Sequence, residues 1–255
     1  TVQLLKKLAP REGYNLTALS DVRILRSDRP LARTPVLYDP GIVIVCQGSK
    51  RGFFGDQVYL YDEQHYLAVS VPVPFTMETA ASAEHPLLAI YMHLDFSVAT
   101  ALLLELEQQQ VPFAAKAAQS MMSSPMDQAL RDSVLRFLTA LSHPLDAQIL
   151  GPALVRELYY RVLTGAQGQA LRAALTLQGQ FGKVGKALRH IHSSYAQTLN
   201  LAQLACEAGM SVPTFSAHFK TITQQSPMKY VKSVRLHQAR MLMVRQEMTG
   251  RSSDV

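Results

Sequence analysis

Residues 200–243, reading NLAQLACEAGMSVPTFSAHFKTITQQSPMKYVKSVRLHQARMLM, constrain this chain more than any other stretch. Leu201, Leu204, Ala205 and Ala208 recur at i, i+3, i+4 and i+7, the spacing of one apolar face on a helix. Asn200 stands where an N-cap belongs, with Gln203 three residues on, a variant of the capping box. Gly209 supplies a residue able to take positive φ and stop that helix. Ser211 restarts the chain as a second N-cap, and Phe215 and Phe219, four apart, are placed to pin the second helix to the first. Outward remain Pro213, Thr214, Ser216, Ala217 and Lys220. A short helix braced in this way, with small polar residues and a lysine outside, is shaped for the major groove of double-stranded DNA. A helical hairpin in an ordinary core would share the helix–Gly–helix pattern.

Charge favours the DNA reading. Residues 181–255 hold ten Lys and Arg against three Asp and Glu, a net of +7, whereas residues 1–180 hold fifteen against sixteen. The basic character is confined to the part that carries the motif, as a footprint on phosphate requires. Ser226-Pro227 then reads as an N-cap followed by proline at the first helical position. It opens a long helix with Tyr230, Val231, Val234, Ala239 and Leu242 on its apolar side.

Ala205, Gly209, Ser211, Phe215, Phe219-Lys220, Ser226-Pro227, Tyr230, Arg235-Leu236 and Ala239-Arg240 resemble, in order and spacing, the first half of an AraC-type DNA-binding domain. The resemblance implies two helix-turn-helix units joined by a long helix, each with a recognition helix in the major groove. By it, Pro213, Thr214, Ser216, Ala217 and Lys220 face DNA. The match covers the first unit and the connecting helix Pro227–Arg245. After Met248 the sequence reads TGRSSDV and ends. The expectation is a DNA-binding domain truncated to one unit, weak in base readout and poor at binding DNA as a monomer. The side chains around Met241, Leu242, Val244 and Met248 are then exposed or frayed unless another chain covers them. With no Met at its start, the sequence is expected to begin inside a longer natural one.

At 255 residues there is room for two domains, each with its own core. A hydrophobic share of 48% with 17% charged residues belongs to a folded chain and excludes disorder. Cys46 and Cys206 sit in separate apolar runs, which argues against a disulfide or a CxxC zinc cluster and for a reducing, cytoplasmic setting. No apolar run approaches the ~20 residues that span a membrane. Residues 1–12 read as a short amphipathic helix closed by Gly13, not as a signal peptide.

Residues 21–95 read as β. Gly41–Cys46, Gln57–Tyr61, Tyr66–Val71, Phe75–Thr79 and Leu87–Phe96 are short, rich in Val, Ile, Tyr and Phe, and separated by turn clusters, the pattern of a sandwich or small barrel. Pro72 and Pro74 favour an edge or a bulge. From Ser97 the pattern turns helical: Val98–Glu107 behind Ser97 as N-cap, Asp127–His143, and Ile149–Thr164 ended by Gly165. The first of these is apolar on most faces, so it is buried, against helix 127–143 or a second chain. The division is 1–165 as regulatory and dimerisation domain, 166–182 as linker region, and 183–255 as DNA-binding domain. Within the first part, LARTPVLYDPGIVIVCQGSKRGFFGDQVYLYDEQHYLAVSVPVPF and HPLLAIYMHLD make Tyr14 to Ala99 similar to the regulatory domain at the front of one branch of AraC-type regulators. That resemblance implies a cupin-like barrel followed by helices, used for effector sensing or self-association. The expected fold class is α+β: a cupin-like β-barrel with flanking helices, then an all-α helix-turn-helix domain.

A barrel raises the question of metal. The candidates are Glu63, His65, His85 and His93, with no His-x-His among them, and surface or hydrogen-bonded histidines are the plainer reading. There is no G-x-S-x-G elbow and no P-loop. Gln47–Arg51 is a turn carrying two cations, not a phosphate cradle. Alternation turns Val43, Val45, Tyr59, Tyr61, Val69, Met77, Tyr91 and His93 inward. Of these, Tyr59, Tyr61, Met77, Tyr91 and His93 are the effector-binding candidates for a small, partly apolar molecule, against plain barrel packing. The function expected is a DNA-binding transcription regulator responding to a small-molecule effector, with no catalytic residue, cofactor, metal or membrane, and acting as a homodimer. The alternative is a small-molecule-binding cupin-like protein whose helical tail is a protein-interaction module without specific DNA binding. A metal-dependent cupin enzyme is a third reading.

Overall fold

The computed structural model describes residues 1–111, 119–176, 180–223 and 225–250. After α1 (Val2–Leu8) come β1 (Gly13–Leu16), β2 (Val22–Ser27), β3 (Leu31–Tyr38), β4 (Gly41–Gln47), β5 (Ser49–Phe54), β6 (Gln57–Asp62), β7 (His65–Val69), β8 (Val73–Ala80) and β9 (Leu87–His93). With β10 (Met121–Pro125) they form one antiparallel sheet in the order β1-β2-β9-β4-β7-β6-β5-β8-β3, β10 lying beside β7. Alternation assigns the two faces. Ile42, Ile44, Tyr66, Ala68, Leu88, Ile90 and Met92 face outward to helices. Val43, Val45, Leu67, Val69, Leu87, Ala89 and Tyr91 face the interior of the curl. Both faces of β4, β7 and β9 are covered, which is why these strands read as continuous apolar runs.

The outer face is covered by α2 (Phe96–Gln108), α3 (Gln128–Leu141), α4 (Pro144–Ile149), α5 (Gly151–Thr164) and α6 (Gly168–Thr176). Several boundaries differ from the sequence reading, each for a local reason. The N-cap of α2 is Asp95, not Ser97, because the Asp95 carboxylate accepts from the backbone N–H of both Ser97 and Val98. Leu87–Phe96 is therefore not one strand: β9 stops at His93. Ile149–Thr164 is two helices, broken where Gly151-Pro152 begins α5. Helix α1 ends at Leu8 with Ala9 as C-cap, and Gly13 opens β1 instead, at φ +90°. Pro74 lies in β8, an interior strand between β3 and β5, not at an edge. It precedes Thr76, the first residue of β8 that pairs with β5, so its missing N–H leaves that ladder intact. The short helical piece that the sequence places in the stretch 166–182 is α6, which buries Ala170, Leu171 and Leu175 in the helical layer. Helix α2 packs chiefly on α5 and α6, and Leu104 stays 54% exposed.

The inner face is continuous with the core of a second helical group: α7 (Gln180–Ser193), α8 (Leu201–Glu207), α9 (Val212–Thr223) and α10 (Pro227–Gly250). The interior of the curl is filled by Tyr38, Tyr61, Phe75, Met77 and, unexpectedly, Lys50, which is 2% exposed. Its ammonium is far from water, and burial holds its pKa down at about 7, from 10.5. Above pH 7 the folded chain keeps this amine neutral while an unfolded chain stays protonated, so its contribution to stability rises with pH from about 7 to 10.5. Lys50→Met keeps the volume and removes the charge. It is predicted to raise stability by on the order of 2–4 kcal/mol at pH 7, with the gap to the parent narrowing by pH 9. Urea unfolding of both chains at the two pH values checks this, and a gap that is absent or does not change with pH contradicts it.

Candidate functional site

The helix-turn-helix forms as its capping signals dictate. Asn200 Oδ1 accepts from the backbone N–H of Gln203 at 2.8 Å. The return half of the capping box is not made, because the Gln203 side chain reaches Glu207 instead. Gly209 takes φ +61° and turns the chain. The Ser211 carbonyl accepts from Phe215 N–H at 2.8 Å, opening α9. Phe215 and Phe219 are fully buried, their ring centroids 5.3 Å apart, and Phe219 meets Tyr230 of α10 edge-on at 5.3 Å. This leaves Pro213, Thr214, Ala217 and Lys220 exposed, with Ser216 half-buried beside them. All five expected DNA-facing residues thus share the outer side of one helix. Arg235 donates from Nε to Tyr195 O and from Nη2 to Gln197 O, both at 2.7 Å, tying α10 to the segment before α8. On α10 itself the apolar side is buried only as far as Val234. Ala239, Leu242 and Met243 are exposed, and the side chains at 241, 244 and 248 lie outside the described residues.

The helical group meets the barrel at Tyr230. Its hydroxyl donates to Pro72 O at 3.0 Å and lies 2.7 Å from His192 Nε2. A phenol has one proton, so His192 must carry its own proton on Nε2 to complete the chain. Ser120 Oγ adds a second link, donating to Ile222 O. Burial lowers the pKa of His192, partly opposed by Asp39, with His237 adding to the lowering.

Beside this junction is a cleft of about 890 Å³ between α7 and the barrel. Val71, Leu94, Phe96 and Leu175 supply apolar surface, and Lys183, Lys186 and Arg189 supply cations, with Asp39, Pro72, His93 and His192 between them. Sequence reasoning missed this cleft. Its signal was present as Lys183, Lys186 and Arg189 at three-residue steps along one helix, but that stripe counted only toward net charge. A second cleft, of about 590 Å³, lies between Val36, Phe53 and Phe75 of the sheet and Lys229, Ser233 and Leu236 of α10.

The five effector candidates do not share one cavity wall. His93 lines the larger cleft. Tyr61, Met77 and Tyr91 are buried in the interior packing, whereas Tyr59 and His93, expected to be inward and buried, are only half-buried. Tyr91 connects the two regions: its ring is edge-on to His93 at 5.2 Å and to Tyr38 at 5.9 Å, and its hydroxyl donates to Asp39 O at 3.2 Å. Among the described residues no group of three or more His, Cys, Asp or Glu is placed to hold a metal. His65 pairs with Asp62 at 2.9 Å. Cys46 and Cys206 are free thiols; burial pushes Cys46 up to about 12, while Cys206 is exposed. No described helix is long and apolar enough to cross a membrane.

The chain belongs to the AraC-type transcriptional regulators. The family described as AraC-type transcriptional regulator N-terminus matches residues 18–170, more than half of the chain, and that of bacterial regulatory helix-turn-helix proteins, AraC family, matches residues 191–232. It is a transcription regulator with an N-terminal regulatory domain and a DNA-binding helix-turn-helix. No curated protein matches the sequence. Among solved structures, unsaturated-fatty-acid-bound ToxT from Vibrio cholerae is 11% identical, with 83% of this chain and 93% of that chain covered and a TM-score of 0.39. The AraC-like transcriptional activator CuxR is 14% identical, with 86% and 77% covered and a TM-score of 0.36. Likeness at these scores leaves the fold to rest on the strands and helices described above.

Lys220 stands exposed at the end of the recognition face, where a lysine acts on phosphate. Lys220→Ala is predicted to weaken binding to all duplexes alike and to shallow the salt slope by about 1. Titrations at several salt concentrations check this; a sequence-dependent loss with an unchanged slope contradicts it.

Proposed function

We propose that the chain binds double-stranded DNA through Pro213, Thr214, Ser216, Ala217 and Lys220, and that a small amphipathic anion in the cleft between α7 and the barrel modulates that binding. The observation that carries this reading is the cleft's lining. Apolar side chains of the regulatory domain face three cations of α7, and α7 packs directly on the helix-turn-helix. An apolar body with an anionic group satisfies both walls at once. The effector acts at the mouth of the barrel, where His93 stands. No constellation of nucleophile and base is part of this reading, so the chain is a binding protein, not an enzyme, working in the cytoplasm where its DNA is. Ser216 and Ala217 offer one short hydrogen bond and an apolar contact to a thymine methyl, so base readout by this unit is weak. A second copy, docked on helices carrying the exposed Leu104, Leu145 and Ile149, supplies a second recognition helix and raises specificity by linking two weak sites.

The test uses random-sequence and promoter duplexes at two salt concentrations, with 8-anilinonaphthalene-1-sulfonate as the apolar anionic probe. A single protomer is expected to bind random duplex at ~10⁻⁴–10⁻⁶ M at physiological salt. The probe is expected to shift duplex affinity, and to bind about tenfold more weakly to a Lys186→Ala/Arg189→Ala chain. Unchanged duplex affinity at saturating probe refutes the coupling, and undiminished probe binding by the variant refutes the cleft. Sedimentation at micromolar concentration tests the dimer, and a monomer throughout refutes it.

A further inference from the structure

Four donors inside the barrel converge on one thioether. Lys50 of β5 stands in register with Tyr61 of β6 and with Thr79 of β8, and Tyr38 closes the group from the end of β3. Met77 Sδ lies 3.3 Å from Lys50 Nζ, 3.8 Å from Tyr38 Oη, 3.8 Å from Tyr61 Oη and 3.9 Å from Thr79 Oγ1. Lys50 Nζ is also 3.2 Å from Tyr38 Oη, which is 3.5 Å from Tyr61 Oη. All five side chains are buried. A thioether is a weak acceptor, and a buried ammonium ordinarily has a carboxylate. Here Glu78 and Asp62, the acids on the adjoining strands, engage Arg51 and His65 instead.

A neutral amine suits this group: Lys50 Nζ donates to Tyr38 Oη, while Tyr38, Tyr61 and Thr79 have their hydroxyls within reach of the sulfur. Once the amine is protonated, its N–H groups and the hydroxyls share no anionic acceptor, and Met77 Sδ sits where that acceptor would serve all four. Methionine is flexible and readily repacked.

We infer that Met77 Sδ occupies the seat of an anionic oxygen, and that Lys50, Tyr38, Tyr61 and Thr79 form a carboxylate subsite that opens when the methionine swings aside. This rests on the reading of the barrel as the effector domain, and it gives the interior a carboxylate seat of its own, apart from the cations of the cleft. Binding takes up a proton: the carboxylate, one proton and the neutral amine become an ammonium–carboxylate pair. Tyr38, Tyr91 and His93, stacked edge-on, separate the subsite from the cleft. The titratable groups facing the amine are the phenols of Tyr38 and Tyr61, both pushed up by burial, so Lys50 is the member that changes charge near neutrality.

Met77→Ala removes Cγ, Sδ and Cε, as many heavy atoms as formate brings. Calorimetric titration of formate into this variant, in two buffers of different ionisation heat, reads affinity and proton uptake together. The expected result at pH 8 is binding with uptake approaching one proton, and affinity falling about tenfold per pH unit above 7. Lys50→Met in the same background is expected to lose both. Met77→Ser serves where the alanine variant does not fold. Failure of formate to bind either folded variant, binding without proton uptake, or binding that survives Lys50→Met overturns the subsite. The effect of the sulfonate probe on duplex affinity is read separately in Lys50→Met with Met77 intact. Its persistence there keeps the regulatory reading standing when the formate result fails, so the two fail apart.

Discussion

Tyr230 is the residue on which the arrangement of the two halves depends. It is fully buried, its ring meets Phe219 under the recognition helix, and its hydroxyl joins Pro72 of the barrel to His192 of α7. A tyrosine suits this place because one end is apolar and the other needs a partner. Burial pushes its phenol well above the usual value, so it stays a neutral donor at any physiological pH. The same ring therefore holds the recognition helix in place and fixes that helix relative to the regulatory domain.

Under the proposed function, that placement is what would connect DNA contact with cleft occupancy. Pro72 and His192, the two partners of the phenol, both line the larger cleft. Tyr230 itself lies behind them. An occupant of the cleft would touch both partners of a bond whose middle member belongs to the DNA-binding unit. Any difference in its affinity for two arrangements of that unit becomes, by linkage, a difference in DNA affinity. Inside the barrel, burial lowers the pKa of Lys50 to about 7.

Much of this was legible in the sequence where local chemistry decides the outcome. Asn200, Gly209, Ser211 and Ser226-Pro227 punctuate the helices of the DNA-binding unit as their capping preferences require. Strands β4, β7 and β9 are visible because both faces are buried and the runs are apolar. By contrast β3, LARTPVLY, is exposed at four of its eight residues and shows neither alternation nor a continuous run. Ser97 and Asp95 compete for one N-cap, and only geometry shows that the carboxylate two residues earlier captures both N–H groups. Helix α6 is legible as a short helical piece within 166–182, but its burial against the helical layer is not, because small alanines give no sign of which partner they pack on. The cleft was not legible at all: its two walls are about a hundred residues apart in sequence, and its cations are ordinary surface lysines and arginine until α7 is set against the barrel. Lys50 reads as a turn cation beside Arg51; alternation along β5 sends the two to opposite faces.

The central claim is that DNA is met by the outer face of α9 while the barrel stays behind it. Amide hydrogen exchange of the whole chain, with and without saturating duplex, tests this most directly. Protection gained on residues 211–221, with β4, β7 and β9 unchanged, is the predicted result. Protection that falls on the sheet or on α2 to α5 and spares α9 would contradict the account.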